Sequence, residues 1–423
     1  MKVRYLVGVL VLLNSMVFAS QFDEEDTFDA KDVVPGRFLE GPNHKVASVA
    51  KNNGLQNSYI VETEYGHFDA GGVIGLKIGI READAMAYLG NLSKSTVFVE
   101  ALKNAGVDSV KSVVSVFKMP VETIKSLPSG FKKLVKGYVK DTKRGLGATK
   151  RFFIGSDEID PKEFRKLNYL MADSDREWAA KLNVDPYSAN MTLRKAISNM
   201  SVVQFIGGLP VDFAIPMKYG IAVGVFEGIA DEIYAQDAAA LEKTNRRCLS
   251  RSGIKKVGTF FKAAYMTPTM HTMFCSAAGR LQGVANLQMF ADQLVQSESF
   301  EESRFLLSTL GLLVWHHNEL GELKSLLADG GLPYAETADA GLTLMLPGDY
   351  VMWTEDVASQ IDQLTGTAAE AGLEPKSIWI LGDVSKMARS ELVTRKWRIH
   401  DRTNDMQVER IYFSGSVEQQ ISE

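Results

Sequence analysis

Three kinds of apolar spacing follow one another along this chain, and each predicts a different element. Residues 5–13 form an unbroken apolar run behind Lys2 and Arg4 and ahead of Asn14 and Ser15. The run is shorter than the ~20 residues that span a bilayer, and Val17-Phe18-Ala19 suits signal peptidase, so residues 1–19 read as a cleaved secretory signal. Period-two spacing begins at Ser58, with Tyr59, Val61 and Thr63 alternating with Ile60, Glu62 and Glu64. After Asp69-Ala70-Gly71-Gly72 a second alternating run, Ile74, Leu76, Ile78 and Ile80, predicts the other arm of a β-hairpin. Residues 81–105 then show helical spacing through Ala85, Leu89 and Leu92.

From residue 157 to 330 the spacing is helical almost throughout. Helices are expected over 162–182, from Ser188 or Asn190 through Ile197, over 267–295 and over 301–327. Beyond residue 331 short apolar strands return. Residues 340–346, 350–353, 377–382 and 397–400 read as strands, with helices over 355–371, stopped by Gly372, and after Ser385. Strand, helix, strand with short joints is a βαβ pattern, whose functional residues fall beyond the carboxyl ends of strands, here Gly382, Asp383 and Ser385.

The resulting expectation is a mixed α+β chain with a predominantly helical central domain flanked by small α/β modules. Its divisions are a signal (1–19), an acidic disordered lead (20–54), a small α/β module of hairpin plus helix (55–117), a basic amphipathic connector (118–156), a helical domain (157–330) and an α/β carboxyl-terminal module (331–423). The lead is judged disordered because Asp23, Glu24, Glu25, Asp26, Asp29 and Asp32 crowd ahead of Pro35, Gly36, Gly41 and Pro42.

Composition leaves ample material for packed cores, with 45% apolar and 9% aromatic residues, and a chain of this length suggests two or three domains. The formal charge of −5 becomes −7 once Lys2 and Arg4 leave with the signal, which argues against nucleic acid as a partner. Charge is unevenly spread. Ten Lys or Arg residues fall between 118 and 151 against Glu122 and Asp141 alone. Phe131, Leu134, Val135, Tyr138 and Val139 lie at helical spacing among Lys132, Lys133, Lys136, Lys140 and Lys143, so the segment reads either as an anchor for an anionic membrane surface or as a helix packed on its own domain.

Gly220, Gly224 and Gly228 fall on one helix face inside the most apolar stretch of the exported chain, a pattern that lets another backbone approach closely. Pro210, Asp212, Pro216, Lys218 and Glu227 interrupt it too often for a membrane span. Cys248 and Cys275 are the only cysteines, and in an oxidising compartment they are expected to pair.

Candidate chemistry is sparse. His316 and Glu319, or His271 with Cys275 and Cys248, could each begin a metal site, but neither set is complete, so no metal or cofactor is expected. No G-x-S-x-G or G-x-G-x-x-G occurs. A hydrolase would have to assemble its site from distant residues among the six histidines, and a small ligand could bind at Asp383 and Ser385 in the last module.

Three blocks, Asp185-Pro-Tyr-Ser-Ala-Asn-Met-Thr-Leu-Arg194, Leu381-Gly-Asp-Val-Ser-Lys-Met-Ala-Arg-Ser-Glu-Leu392 and Pro120-Val-Glu-Thr-Ile-Lys-Ser-Leu-Pro-Ser-Gly130, together resemble a family of uncharacterised exported bacterial proteins. The resemblance implies a bacterial envelope setting and transfers no catalytic residue. The expectation is therefore an exported envelope protein without catalytic residues, binding a partner or an anionic surface.

Overall fold

The structure, a computed structural model, describes residues 21–23, 26–93, 95, 160–207, 229–328 and 331–403. The signal, the connector residues Phe131, Lys132, Lys133, Lys136, Lys140 and Lys143, and the glycine face Gly220, Gly224 and Gly228 lie outside the described residues.

The first sheet contains β1 (Thr27–Asp29), β2 (Glu40–Gly41), β3 (His44–Val46), β4 (Val49–Asn52), β5 (Asn57–Thr63) and β6 (Gly66–Gly71), with short helices α1 (Ala30–Val33) and α2 (Gly36–Leu39) between β1 and β2. Every pairing in it is antiparallel, and β5 is central, bonded to β3, β4 and β6. Residues 27–52, expected to be disordered, thus supply four of its strands. Their acidic residues stay outside or cap, as Asp29 does for α1, while Ala30, Val34, Val46 and Ala50 are buried against Tyr59 and Val61. Counting charge hid the apolar residues between the carboxylates.

The predicted hairpin is half right. Tyr59 and Val61 do alternate inward on β5, but the turn comes at Glu64-Tyr65 and the return strand is β6. Residues 72–80 are helical, part of α3 (Gly72–Ser93). The glycines that imitated the spacers of a strand form a buried helix face with Leu76, Ile80 and Ala83, at three- and four-residue steps. Side chains are excluded there. A Cβ on Gly79 would stand 2.1 Å from Cε2 of Phe68, and one on Gly90 2.0 Å from the Tyr65 hydroxyl.

The helical part comprises α4 (Pro161–Tyr169), α5 (Asp173–Lys181), α6 (Met191–Gly207), α7 (Ile229–Ala235), α8 (Ala238–Arg251), α9 (Val257–Phe260), α10 (Pro268–Arg280), α11 (Leu287–Val295) and α12 (Phe300–Glu319). Three helices expected to be continuous are broken. The 162–182 helix stops at Leu170 and restarts where the Asp175 carboxylate accepts from the Ala172 amide. The 267–295 helix is interrupted by a loop carrying Gly283 and Asn286 at positive φ, in which Ala285 exchanges backbone hydrogen bonds with Lys324 and Leu326. The third stops at Glu319, and residues 323–327 form a strand instead. Cys248 on α8 and Cys275 on α10 are joined by a disulfide, which leaves neither thiolate for zinc.

The second sheet contains β7 (Leu323–Leu327), β8 (Tyr334–Thr337), β9 (Leu342–Leu346), β11 (Lys376–Ile380) and β13 (Trp397–His400), in the order β13-β11-β9-β8-β7. The predominantly helical block expected over 157–330 therefore donates residues near its end, as β7, to this sheet. β9, β11 and β13 run parallel, linked by the crossover helices α13 (Glu355–Ala371) and α14 (Lys386–Thr394), while β7 and β8 are antiparallel. Leu342, Leu344, Ile378 and Ile380 pack with Val357, Ile361, Ala388 and Leu392 of the two helices. Leu326, Ala335 and Met345 face Leu306 and Leu310 of α12. The molecule is a mixed α+β fold, as expected, and among the described residues no helix is long and apolar enough to cross a membrane.

A short parallel pair, β10 (Tyr350–Val351) and β12 (Asp383–Val384), draws the loop after β9 against the loop after β11. That first loop also docks on the antiparallel sheet. Asn57 donates its backbone N–H to Asp349 Oδ1 at 2.7 Å, the Tyr59 hydroxyl donates to Asp349 Oδ2, and Met352 N–H reaches the Gly54 carbonyl at 2.9 Å. Glycine is required on both sides, since a Cβ on Gly348 would lie 1.9 Å from the Leu55 carbonyl oxygen and one on Gly382 2.0 Å from that of Asp349.

Candidate functional site

The carboxyl ends of parallel strands are where open α/β sheets usually take ligands. Here much of that edge is filled by the chain itself. Gly382 N–H donates to the Gly348 carbonyl at 3.0 Å, and Asp383 Oδ1 accepts from Arg402 Nε at 2.5 Å. Ser385 caps α14 by accepting from Ala388 N–H at 2.9 Å, and its hydroxyl donates to Asp23 Oδ2 at 2.6 Å. The same Asp23 oxygen accepts from Trp353 N–H at 2.6 Å, and Asp23 N–H donates to the Trp353 carbonyl at 3.0 Å. Asp383 and Ser385 therefore serve contacts within the chain.

Residues 21–23 form a strap held by these bonds, and beside it, between α13 and α14, lies a cleft of about 400 Å³. Its apolar lining is Phe22, Trp353, Ala358 and Met387, and its polar lining includes Glu355, Ser359, Asp362, Glu391 and Arg395. The two helices are placed by ordinary capping. Thr354 accepts from Val357 N–H to start α13, which ends at Gly372 with φ of 65°. Arg395 bridges the helices, giving Nε to Asp362 Oδ1 and Nη1 to Glu391 Oε2, both at 2.5 Å, with its guanidinium 4.7 Å from the centre of the Trp353 ring. Bonding to the two carboxylates raises the pKa of Arg395 above its ordinary value, so its charge is permanent.

The residues facing the cleft were partly legible. Glu355, Ala358, Ser359 and Asp362 fall on one face of a helix whose limits the sequence marks well, as do Met387 and Glu391 on the next. Nothing local joins Phe22, Trp353 and Arg395 to them.

A second polar centre is enclosed. Glu82 on α3 accepts from the Ser188 hydroxyl at 2.5 Å and from Asn190 Nδ2 at 3.0 Å, while Asp185 accepts from the Thr269 hydroxyl at 2.6 Å and from Tyr187 N–H at 2.9 Å. Burial raises the pKa of both carboxyls. A group whose folded pKa is raised binds its proton more tightly in the folded state, so its stabilising effect is present in acid and is lost as pH rises through the folded value. Glu82→Gln is accordingly expected to flatten the fall in stability between pH 5 and 8, at the cost of one of the two hydrogen bonds that the carboxylate accepts. Urea unfolding at the two pH values checks this, and an unchanged pH slope would mean that Glu82 does not titrate with folding.

The histidine rings mostly meet backbone. His316 Nδ1 lies 3.1 Å from the Gly321 carbonyl oxygen, and His317 Nδ1 accepts from Leu323 N–H at 3.0 Å, so this pair finishes α12. His271 bonds the Phe260 backbone between two phenylalanine rings, and burial lowers its pKa to about 4. The crevice beside it, about 20 Å³, has room for a single water. Among the described residues no group of three or more His, Cys, Asp or Glu gathers as a metal site would require.

No family model, no curated protein and no solved structure matches this chain.

Proposed function

We propose that this chain is an exported bacterial envelope protein that binds a small ligand, without catalytic residues, and that the ligand enters the cleft between α13 and α14. One observation carries the reading. The cleft falls within the size range of small-molecule sites and combines an apolar floor with a few fixed polar groups, beside the strand ends where such sheets bind ligands. The leader at residues 1–19 and the Cys248–Cys275 bond support export. Association with an anionic surface through Phe131, Lys132, Lys133, Lys136, Lys140 and Lys143 belongs to the same reading and is supported by sequence alone.

Ser359, exposed on α13 and facing the cleft, offers the test. Thermal unfolding of the exported chain against a panel of small organic cations, anions and neutral molecules should find ligands that raise Tm by about 2 °C or more near saturation. Ser359→Trp, which fills the cleft, should fold normally and lose the shift. Ligands whose effect survives the substitution would place binding elsewhere.

A further inference from the structure

The charge of the cleft is unbalanced, and the imbalance selects among ligands. Glu355, Asp362 and Glu391 face it against one cation, Arg395. That cation is already spent on Asp362 and Glu391 and lies over Trp353, so an entering anion would meet no unshared guanidinium. Glu355, in the first turn of α13, makes no ion pair among the described residues. It lies one turn before Ser359 and two before Asp362 on the same face, which sets two carboxylates along one wall. From outside α13, the half-buried Phe22 and Met387 supply the accessible apolar lining, while Trp353 and Ala358 are almost wholly buried.

An anion brought here would add to the negative field and lose hydration without a donor to replace it. A neutral apolar molecule would use the floor but leave the wall unmatched. A primary ammonium or guanidinium on a ring-sized apolar body satisfies both sides, its charge against Glu355 and its body on the floor. We infer that the cleft takes an organic cation of this kind, an aromatic or alkyl amine. The inference rests on the reading that the cleft is a ligand site, and its test separates the two.

Three probes share one ring and differ in charge: tryptamine, 3-methylindole and indole-3-acetate. Titrated calorimetrically into the exported chain at low ionic strength, tryptamine should bind at least about fivefold more tightly than either of the others. Glu355→Gln, an exposed change that keeps the helix, should weaken tryptamine by about threefold or more and leave 3-methylindole unchanged, and added salt should act in the same direction. Ser359→Trp should abolish all binding. If the three probes bind equally and Ser359→Trp still removes them, the ligand class is overturned while the cleft remains the site. If none binds at about 10 mM, a concentration that would reveal even weak association, both fall.

Discussion

Asp349→Ala is expected to cost about 3–5 kcal/mol, because two buried donors would lose their acceptor together. The Asn57 N–H and the Tyr59 hydroxyl both point at this carboxylate from β5, and Tyr59 is 1% exposed, so water has little access to either group once the side chain is gone. Asn57 Nδ2 would still donate to the Tyr59 oxygen at 3.1 Å, which replaces none of the lost acceptors. Asp349 is the charged member of a set of polar links, with Met352 to Gly54 and Asn52 to the Tyr350 carbonyl, between the antiparallel sheet and the loop whose β10 pairs with β12, so the loss should reach both layers. Asp349→Asn retains one acceptor oxygen and should cost less than half as much. Urea midpoints for the three proteins decide the matter. A loss below ~1 kcal/mol for Asp349→Ala would mean that the close approach at Gly348 and the bonds from Met352 and Asn52 hold the layers together without it.

Reduction of Cys248–Cys275 should have an effect of similar size. The bond closes a loop with a sequence separation of 27, for which chain entropy gives about 3–4 kcal/mol. It ties α8 to α10 inside the largest apolar cluster, where Cys275 is buried and Cys248 partly so. The double substitution Cys248→Ala with Cys275→Ala should still fold, since the surrounding core includes Phe260, Phe274 and Leu249. Its denaturation midpoint should fall, and the midpoint of the unsubstituted chain should become sensitive to reductant while that of the variant does not. Equal midpoints with and without reductant would show that the cross-link restrains the unfolded chain very little.

What could be read in advance was local. Residues 355–371 as a helix ending at Gly372, the cap at Ser385 and the strand at Trp397 all follow from signals a few residues long, and they agree with α13, α14 and β13. Residues 72–80 were misread because Gly75 and Gly79 fall between apolar residues as strand spacers would, while their four-residue step equally suits a helix face pressed on a sheet. Only the neighbour decides, here Ala70 against Gly75 and Phe68 against Gly79. β7 was absorbed into the preceding helix because its pairing with β8 is not marked in its own five residues. The strap and the cleft depend on partners far apart in sequence. Asp23 and Ser385 are 362 residues apart and Asn57 and Asp349 are 292 apart, distances at which spacing carries no information.

Those separations also impose an order in time. Synthesis delivers Asp23 and β5 early, yet their acceptors and donors at Asp349, Trp353 and Ser385 emerge 292, 330 and 362 residues later, and closing so wide a loop is slow compared with forming a local helix. The segment made first is therefore among the last to be fastened, and until then the part of β5 and of the Gly54 turn that the Asp349 loop covers stands open to other chains.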